Sequence, residues 1–182
     1  EYGENNSPGF ATSDGKIVVW GDNSFTQFDN SATLTSMATI SAGDRHTAIL
    51  LENGKIIVWG DNSDGQCDVP ENLGSAIAVS AGGYHTVALT SDGKIVVWGN
   101  NKFGQCNIPG NLGSAAGMDA GWHHTAALLK SGKVVVWGDN RYGQCNVPED
   151  LGSAIAISAG AYHTVALTSD GKIVAWGDNK FG

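Results

Sequence analysis

The chain is poor in charge, and especially in cationic side chains. Asp, Glu, Lys and Arg make up 15% of its 182 residues, against about a quarter in an average soluble protein. Ten Lys and Arg side chains face eighteen acids, which gives a formal net charge of −8. Binding to duplex nucleic acid or to an anionic lipid surface needs a basic patch. The composition therefore argues against both of these functions.

Long apolar runs and catalytic motifs are also absent. No apolar stretch of the sequence approaches the roughly 20 residues of a membrane-spanning helix. The three cysteines form no Cys-Xaa-Xaa-Cys pair, which excludes the common zinc and thioredoxin-like motifs. The sequence contains no phosphate-binding loop, no His-Glu-Xaa-Xaa-His and no Gly-Xaa-Ser-Xaa-Gly. We therefore expect no catalytic residue, no metal and no cofactor.

What the sequence does have is a strict repeat. A Trp-Gly pair recurs with a spacing of 39 residues, and a histidine recurs with the same spacing. No insertion breaks this register, and the 182 residues hold about 4.7 such units. A period of this length indicates stacked supersecondary units rather than one irregular domain. The repeated tryptophans are Trp20, Trp59, Trp98, Trp137 and Trp176, and the histidines are His46, His85, His124 and His163.

Each repeat carries three strand signals. In one repeat, 75–81 alternates apolar and small residues, and 85–90 alternates in the same way. The run 94–98 is continuously β-branched or aromatic, which predicts a strand covered on both sides. Ser91-Asp92-Gly93 predicts a tight hairpin between the second and third strands. A short fourth strand is expected near 105–108.

One such sheet cannot bury both of its faces, so successive sheets must stack. No stretch shows a helical apolar spacing over ten residues, which excludes a helical solenoid. Radial stacking of antiparallel sheets is the β-propeller architecture. We therefore predict an all-β propeller of 39-residue repeats with three to four strands each. Residues 1–182 would form a single repeat array with an irregular start over residues 1–9.

The unit Ala81–Gly99, with its Ala-Gly-Xaa-Xaa-His-Thr start and Trp-Gly end, resembles the regulator of chromosome condensation repeat. The short period is similar to the compact bacterial branch of that family, which includes the β-lactamase-inhibitory propeller. The resemblance implies a propeller, usually of seven blades. Pro8 disfavours a central strand at the N-terminus, and the last repeat stops at Gly182. We therefore predict an incomplete propeller of about five blades, open to pairing with other chains.

The repeated histidines and cysteines favour structural roles. A catalytic residue is needed once, so a histidine in every repeat predicts hydrogen bonds to the backbone inside each blade. A ring of metal-binding imidazoles is the alternative. The cysteines Cys67, Cys106 and Cys145 align with Phe28, which indicates apolar packing sites. We expect all three thiols to be reduced and buried.

The candidate site lies in the loops just before the repeated histidines. Constant Ala-Gly and His-Thr pairs flank two positions that vary and are rich in Tyr, Trp, Arg and His, the residue types enriched at binding hot spots. In the inhibitory propeller that the chain resembles, loops of this face meet the partner protein. Ordinary loop variation is the alternative. The predicted partner-binding residues are Arg45, Tyr84, Trp122, His123 and Tyr162.

These observations favour a protein-binding or scaffolding propeller that performs no catalysis, with inhibition of an enzyme as a narrower form. Two alternatives remain open. One is a structural component of an extracellular assembly, in which open blades pair with other chains. The other is a guanine-nucleotide-exchange-type regulator of a small GTPase, as the family resemblance implies. The partner's identity stays open, as does the choice between a secreted or cell-surface location and a cytoplasmic one.

Overall fold

The computed structural model describes Gly9–Ala11, Ile17–Val19, Ser24 and residues 36–180. The described strands form one two-stranded sheet, β1-β2, and four three-stranded antiparallel sheets. These ranges contain no helix, and hence none that could span a membrane. The strands are β1 Gly9–Ala11, β2 Ile17–Val19, β3 Met37–Ala42, β4 His46–Leu51, β5 Ile56–Gly60, β6 Ala76–Ala81, β7 His85–Thr90, β8 Ile95–Gly99, β9 Ala115–Ala120, β10 His124–Leu129, β11 Val134–Gly138, β12 Ala154–Ala159, β13 His163–Thr168 and β14 Ile173–Gly177.

The three predicted strands are confirmed in each of the four repeats that the structure describes in full. In the second three-stranded sheet the order is β6-β7-β8, with β7 in the middle. The predicted hairpin turn closes with a hydrogen bond from the Gly93 amide to the Thr90 carbonyl at 2.9 Å. Gly93 has a φ of +84°, a conformation that costs a residue without a Cβ nothing. Trp20, Gly182 and residues 1–8 of the irregular start predicted over residues 1–9 lie outside the described residues, while Gly9 begins β1.

The predicted fourth strand is wrong. Residues 105 and 106 lie in a turn and residues 107 and 108 are irregular, because their amides are already used locally. The Cys106 amide donates to the Asn101 side chain at 2.9 Å, and the Ile108 amide donates to the Cys106 carbonyl at 3.1 Å. Few amides therefore remain for a ladder with a neighbouring strand.

The position of the fully covered strand also differs from the prediction. All six residues of the middle strand β7 are buried, whereas the edge strand β8 has two buried and three half-buried residues. In the first strand of this sheet, Ile77 is 57% exposed while Val79 is 8% exposed. The pairing skips Ile77, since Ala76 faces Thr90 and Ala78 faces Leu89. This β-bulge turns the Ile77 side chain to solvent.

The core lies between sheets rather than inside one. Each sheet packs its middle strand against the first strand of the next, as in the contacts β4 with β6, β7 with β9 and β10 with β12. Ala88 and Ala126 are completely buried, so small side chains allow the sheets to approach closely. Val87 and Leu89 of one sheet share a cluster with Ala127 of the next. Each sheet is therefore a blade whose stability depends on its neighbours.

Candidate binding face

Successive blades are joined by one repeated hydrogen-bond network, which we call the blade junction. The Nε2 atom of His85 on one blade lies 3.0 Å from the Thr125 hydroxyl of the next blade. That hydroxyl donates to the Gln105 carbonyl of the first blade at 2.9 Å, and Trp137 Nε1 donates to the same carbonyl at 2.9 Å. The network recurs as His46–Thr86–Gln66–Trp98 and as His124–Thr164–Gln144–Trp176.

The junction determines the protonation state of its histidines. Because the threonine hydroxyl gives its proton to a carbonyl, it accepts one from histidine, which places the imidazole proton on Nε2. The Nδ1 atoms of His46, His85 and His124 are buried without a hydrogen-bond partner. Burial lowers the pKa of His46 and His124 to about 4 and that of His85 to about 3. These rings are therefore neutral at physiological pH.

The histidines thus have a structural position, but their partners correct the prediction. They bond across the blade boundary to a side-chain hydroxyl, not to the backbone inside one blade. Among the described residues, no three His, Cys, Asp or Glu side chains form a cluster that could hold a metal ion. The glutamines of the junction were not singled out from the sequence. The available signal in the sequence was their strict recurrence with the repeat. All three glutamines, Gln66, Gln105 and Gln144, are fully buried.

The three cysteines carry free thiols, and each is half-buried rather than fully buried. Cys67, Cys106 and Cys145 donate to backbone carbonyls of the preceding loop at 3.2, 3.2 and 3.1 Å. Burial raises the thiol pKa to about 11 for Cys67 and Cys106 and to about 12 for Cys145. Thiols held in the protonated form are poor nucleophiles.

Glycine at the Ala-Gly step lets the loops of adjacent blades touch. A Cβ on Gly82 would overlap with the carbonyl oxygen of Gly121 and come within 2.8 Å of the His85 ring. Gly43 lies in the same position against Gly82. The loops that carry the variable residues are therefore packed backbone to backbone from one blade to the next.

Two sets of loops meet at one end of the blades, and we call this surface the loop face. The first set joins the first and second strands. The second set follows the third strand and is tied to the first by backbone hydrogen bonds of 2.8–2.9 Å. These bonds run from Asp61, Asn100, Asp139 and Asp178 amides to Arg45, Tyr84, His123 and Tyr162 carbonyls, respectively. The loop face comprises residues 43–45, 82–84, 121–123 and 160–162 with 61–65, 100–104, 139–143 and 178–180.

All five residues predicted to bind a partner lie on the loop face, and all are half-buried. Tyr84 and His123 stack with ring centroids 5.1 Å apart and planes 2° from parallel, and the Arg45 guanidinium carbon lies 5.3 Å from the Tyr84 centroid. Trp122 meets Tyr162 edge to face at 5.1 Å. The structure thus groups these residues on adjacent blades, while their binding role stays a prediction.

The second set of loops adds aromatic and cationic residues that the sequence analysis missed. Phe103 lies 4.8 Å from the His123 ring, and Tyr142 lies 5.0 Å from the Tyr162 ring. The Arg141 guanidinium carbon sits 4.6 Å from the Phe103 centroid. These residues stand at a fixed distance after the Trp-Gly pair. Constant residues flank variable positions in these loops, as they do in the first set, so the same sequence signal was available.

Arg141 is held in place by Asp139. Its Nε and a terminal guanidinium nitrogen donate to the two carboxylate oxygens at 2.9 Å each. The guanidinium hydrogen bonds lower the pKa of Asp139, whose side chain is only 2% exposed. Burial lowers the pKa of His123, so the middle of the loop face carries a neutral ring.

The inner edge of the loop face borders a shallow concavity of about 150 Å³ lined by Ala-Gly steps, Asp44 and Trp122. Below this concavity, serines link the first strands of the blades. Asp119 stands on the third blade where the other blades have Ser41, Ser80 and Ser158. Asp119 accepts from the Ser80 hydroxyl at 2.7 Å and from the Ala159 amide at 2.7 Å. Its two oxygens therefore bond to both neighbouring blades.

Comparison with known proteins identifies the repeat. The family model described as regulator of chromosome condensation (RCC1) repeat matches residues 38–66, 76–105, 116–144 and 154–182, together more than half of the chain. The chain belongs to the RCC1 repeat family. None of the curated proteins compared with it matches. The four matches coincide with the four three-stranded blades.

Several solved structures share the fold of this chain at low sequence identity. Prp20p from Saccharomyces cerevisiae has a TM-score of 0.74 at 21% identity, over 91% of this chain and 54% of Prp20p. The ectodomain of the receptor kinase CR4 from Physcomitrella patens has a TM-score of 0.73 at 21% identity, over 94% and 49%. Human WBSCR16 has a TM-score of 0.69 at 21% identity, over 78% and 47%. The chain thus spans about half the length of these proteins.

Proposed function

We propose that this RCC1-repeat chain is a non-catalytic binding or scaffolding propeller that holds a partner protein on its loop face. The observation that carries the proposal is the continuous group of half-exposed aromatic and cationic side chains across adjacent blades. Tyr, Trp and Arg dominate binding energy at protein interfaces. The Prp20p structure was described with that protein's binding to Gsp1p and histones, which supports a binding role for a fold of this kind.

Trp122 is the natural centre of this surface. It is half-buried and packs against Tyr162 and against Gly83, where a Cβ would meet its backbone at 2.9 Å. Trp122 thus has packing partners on both neighbouring blades. A partly exposed aromatic ring that is already packed loses little entropy on binding, which is typical of an anchor residue.

The test uses the chain as immobilised bait with two matched variants. Trp122→Ala removes the anchor, and Ile77→Ala removes an exposed apolar side chain at the other end of strand β6. We expect a partner to be retained by the native chain and by Ile77→Ala but lost with Trp122→Ala. With the purified partner, Trp122→Ala should weaken binding by about 2 kcal/mol or more. Equal loss with both variants would refute the loop face as the binding surface.

A narrower form of this function, inhibition of an enzyme, remains a prediction. Two alternatives also remain: nucleotide exchange on a small GTPase, and a structural role in an extracellular assembly whose open blades pair with other chains. Inhibition or exchange through the loop face would be lost with Trp122→Ala, whereas pairing of open blades would not need Trp122.

A further inference from the structure

The loops after the third strands carry a row of cation–aromatic pairs. Lys102-Phe103 and Arg141-Tyr142 follow the Trp-Gly pair at the same distance in successive repeats, and Lys180 continues the row in the next. In the first three-stranded blade, β3-β4-β5, Ser63-Asp64 takes this place. Asp64 accepts a hydrogen bond from the Asn100 side chain at 2.8 Å. The row therefore runs over the second, third and fourth blades and ends at the first.

The cations of this row face outward. Lys102, Arg141 and Lys180 are all exposed, and the Arg141 side chain is 58% exposed. The Lys102 ammonium lies 6.0 Å from the Phe103 centroid, on a ring that Arg141 also contacts. Contact with the ring keeps the cations beside apolar surface while their heads stay in solvent.

The acids of the same loops hydrogen-bond to the loops themselves. Asp139 and Asp178 stand two residues before Arg141 and Lys180 and accept their backbone amides at 3.1 and 3.0 Å. These bonds close the loop, and the Asp139 side chain is only 2% exposed while Asp178 is half-buried. Although the protein as a whole has a net charge of −8, this part of the loop face thus presents cations next to aromatic rings.

We propose that the loop face takes a protein segment in which carboxylate side chains lie next to apolar ones. The proposal rests on the proposed binding function and adds the chemistry of the partner. The carboxylates would pair with Lys102 and Lys180 and with the Arg141 N–H groups that Asp139 does not use, while the apolar side chains would contact Phe103, Tyr142 and Trp122. An acidic segment without apolar residues would be repelled by the net charge of the protein. A basic segment would meet like charges along the row.

The experiment measures fluorescence anisotropy with labelled peptides of equal length that repeat Glu-Leu, Gln-Leu or Lys-Leu, and with a labelled oligothymidine. The test variant is Lys102→Gln with Lys180→Gln. The control is Lys55→Gln with Lys133→Gln, two exposed lysines at the hairpin turns between the second and third strands. Both pairs change the net charge equally, so only the position of the charge differs. Arg141 is left intact because it neutralises buried Asp139.

We expect the Glu-Leu peptide to bind most tightly. The test variant should weaken its binding by about fivefold, the effect of two exposed charge pairs, and the control should leave it unchanged. Three outcomes would overturn the proposal: preference for the Lys-Leu peptide, tighter binding of the oligothymidine, or no binding of any peptide. Equal binding of Glu-Leu and Gln-Leu that Trp122→Ala abolishes would also overturn it. That last result would leave the proposed binding function standing.

Discussion

Strands β7 and β13 have the same sequence, His-Thr-Val-Ala-Leu-Thr, and different surroundings. In β7 all six residues are buried. In β13 the histidine is exposed, and Val165 and Leu167 are half-buried, while the threonines and the alanine remain buried. Half of the residues therefore change their environment without any change in sequence.

The difference follows the two faces of the strand. The His-Val-Leu face of β7 packs against the next blade, where it meets Ala120 and Ala127. The Thr-Ala face packs towards the preceding blade, through contacts such as that of Thr86 with Gln66. In the part of the chain that the structure describes, no blade covers the His-Val-Leu face of β13. Burial in this fold is therefore a property of a pair of blades, and the two strands form a natural matched pair for experiments.

Acid should break the covered blade junctions first, and this is the largest effect we expect. Burial holds the pKa of His46, His85 and His124 at about 4, 3 and 4, whereas in the unfolded chain it is about 6.5. The unfolded state therefore binds protons first as the pH falls. The contribution of these histidines to stability should be constant above about pH 7 and fall below it by up to about 1.4 kcal/mol per pH unit for each histidine.

Urea unfolding at a series of pH values measures this slope. His85→Gln should make the slope shallower by about a quarter to a third, because it removes one of the three junction histidines while half-buried His123, whose pKa is also lowered, remains. The same change at exposed His163 is the control. A slope that His85→Gln leaves unaltered would show that the junctions do not determine the acid sensitivity.

The next largest difference between β7 and β13 is expected when the leucine of the repeated hexapeptide is truncated. Leu89 is 2% exposed and Leu167 is half-buried. Leu89→Ala should lower the free energy of unfolding by about 3 kcal/mol through lost burial and a cavity. Leu167→Ala should lower it by about 1 kcal/mol, because its site can fill with water. Chemical denaturation of both variants measures the difference, and equal losses would contradict it.

The histidines give a smaller contrast. His85→Ala leaves the Thr125 hydroxyl without its donor in a buried site and should cost about 2 kcal/mol. His163→Ala changes an exposed side chain and should stay within about 0.5 kcal/mol. Thermal unfolding of the two variants tests this pair. A loss at His163 as large as that at His85 would mean that another part of the chain covers the β13 face.

The smallest effect should be the same in both strands. Thr86 and Thr164 are both completely buried, and each bonds to the histidine and glutamine of the preceding blade. Thr86→Val and Thr164→Val should each cost about 1–2 kcal/mol, since each leaves a buried histidine N–H unpaired. Equal costs in denaturant unfolding would confirm that this face is covered in both copies. Unequal costs would break the comparison.

The strands and the loop face could be predicted because both depend on local patterns. Alternation and the Asp92-Gly93 turn located the strands, and variation before the histidines located Arg45, Tyr84 and Trp122. The exposed position of Ile77 could not be predicted, since a bulge depends on the register with the neighbouring strand. The burial of β7 on both faces was missed for a related reason. The sequence of one strand does not show whether that strand lies in the middle or at the edge of its sheet.

The junction escaped prediction because its bonds join residues of different repeats. His85 reaches Thr125 across 40 positions, and Trp137 reaches Gln105 across 32. From the sequence, a recurring histidine suggests a partner in its own blade, and Gln105 was placed at the start of the predicted fourth strand. Lys102 and Phe103 lie just before that segment, where no binding residue was predicted.

The repetition of the junction bears on how such a gene can change its length. Each blade carries the histidine and the glutamine for the junction on one side, and the threonine and the tryptophan for the junction on the other. After duplication or loss of one 39-codon unit, the histidine and glutamine of one blade would therefore still meet the threonine and tryptophan of the next, wherever the break fell. Unequal recombination between such similar repeats could add or remove blades without passing through an unfolded intermediate protein. Selection could then act on loop residues such as Trp122 while the frame stays constant.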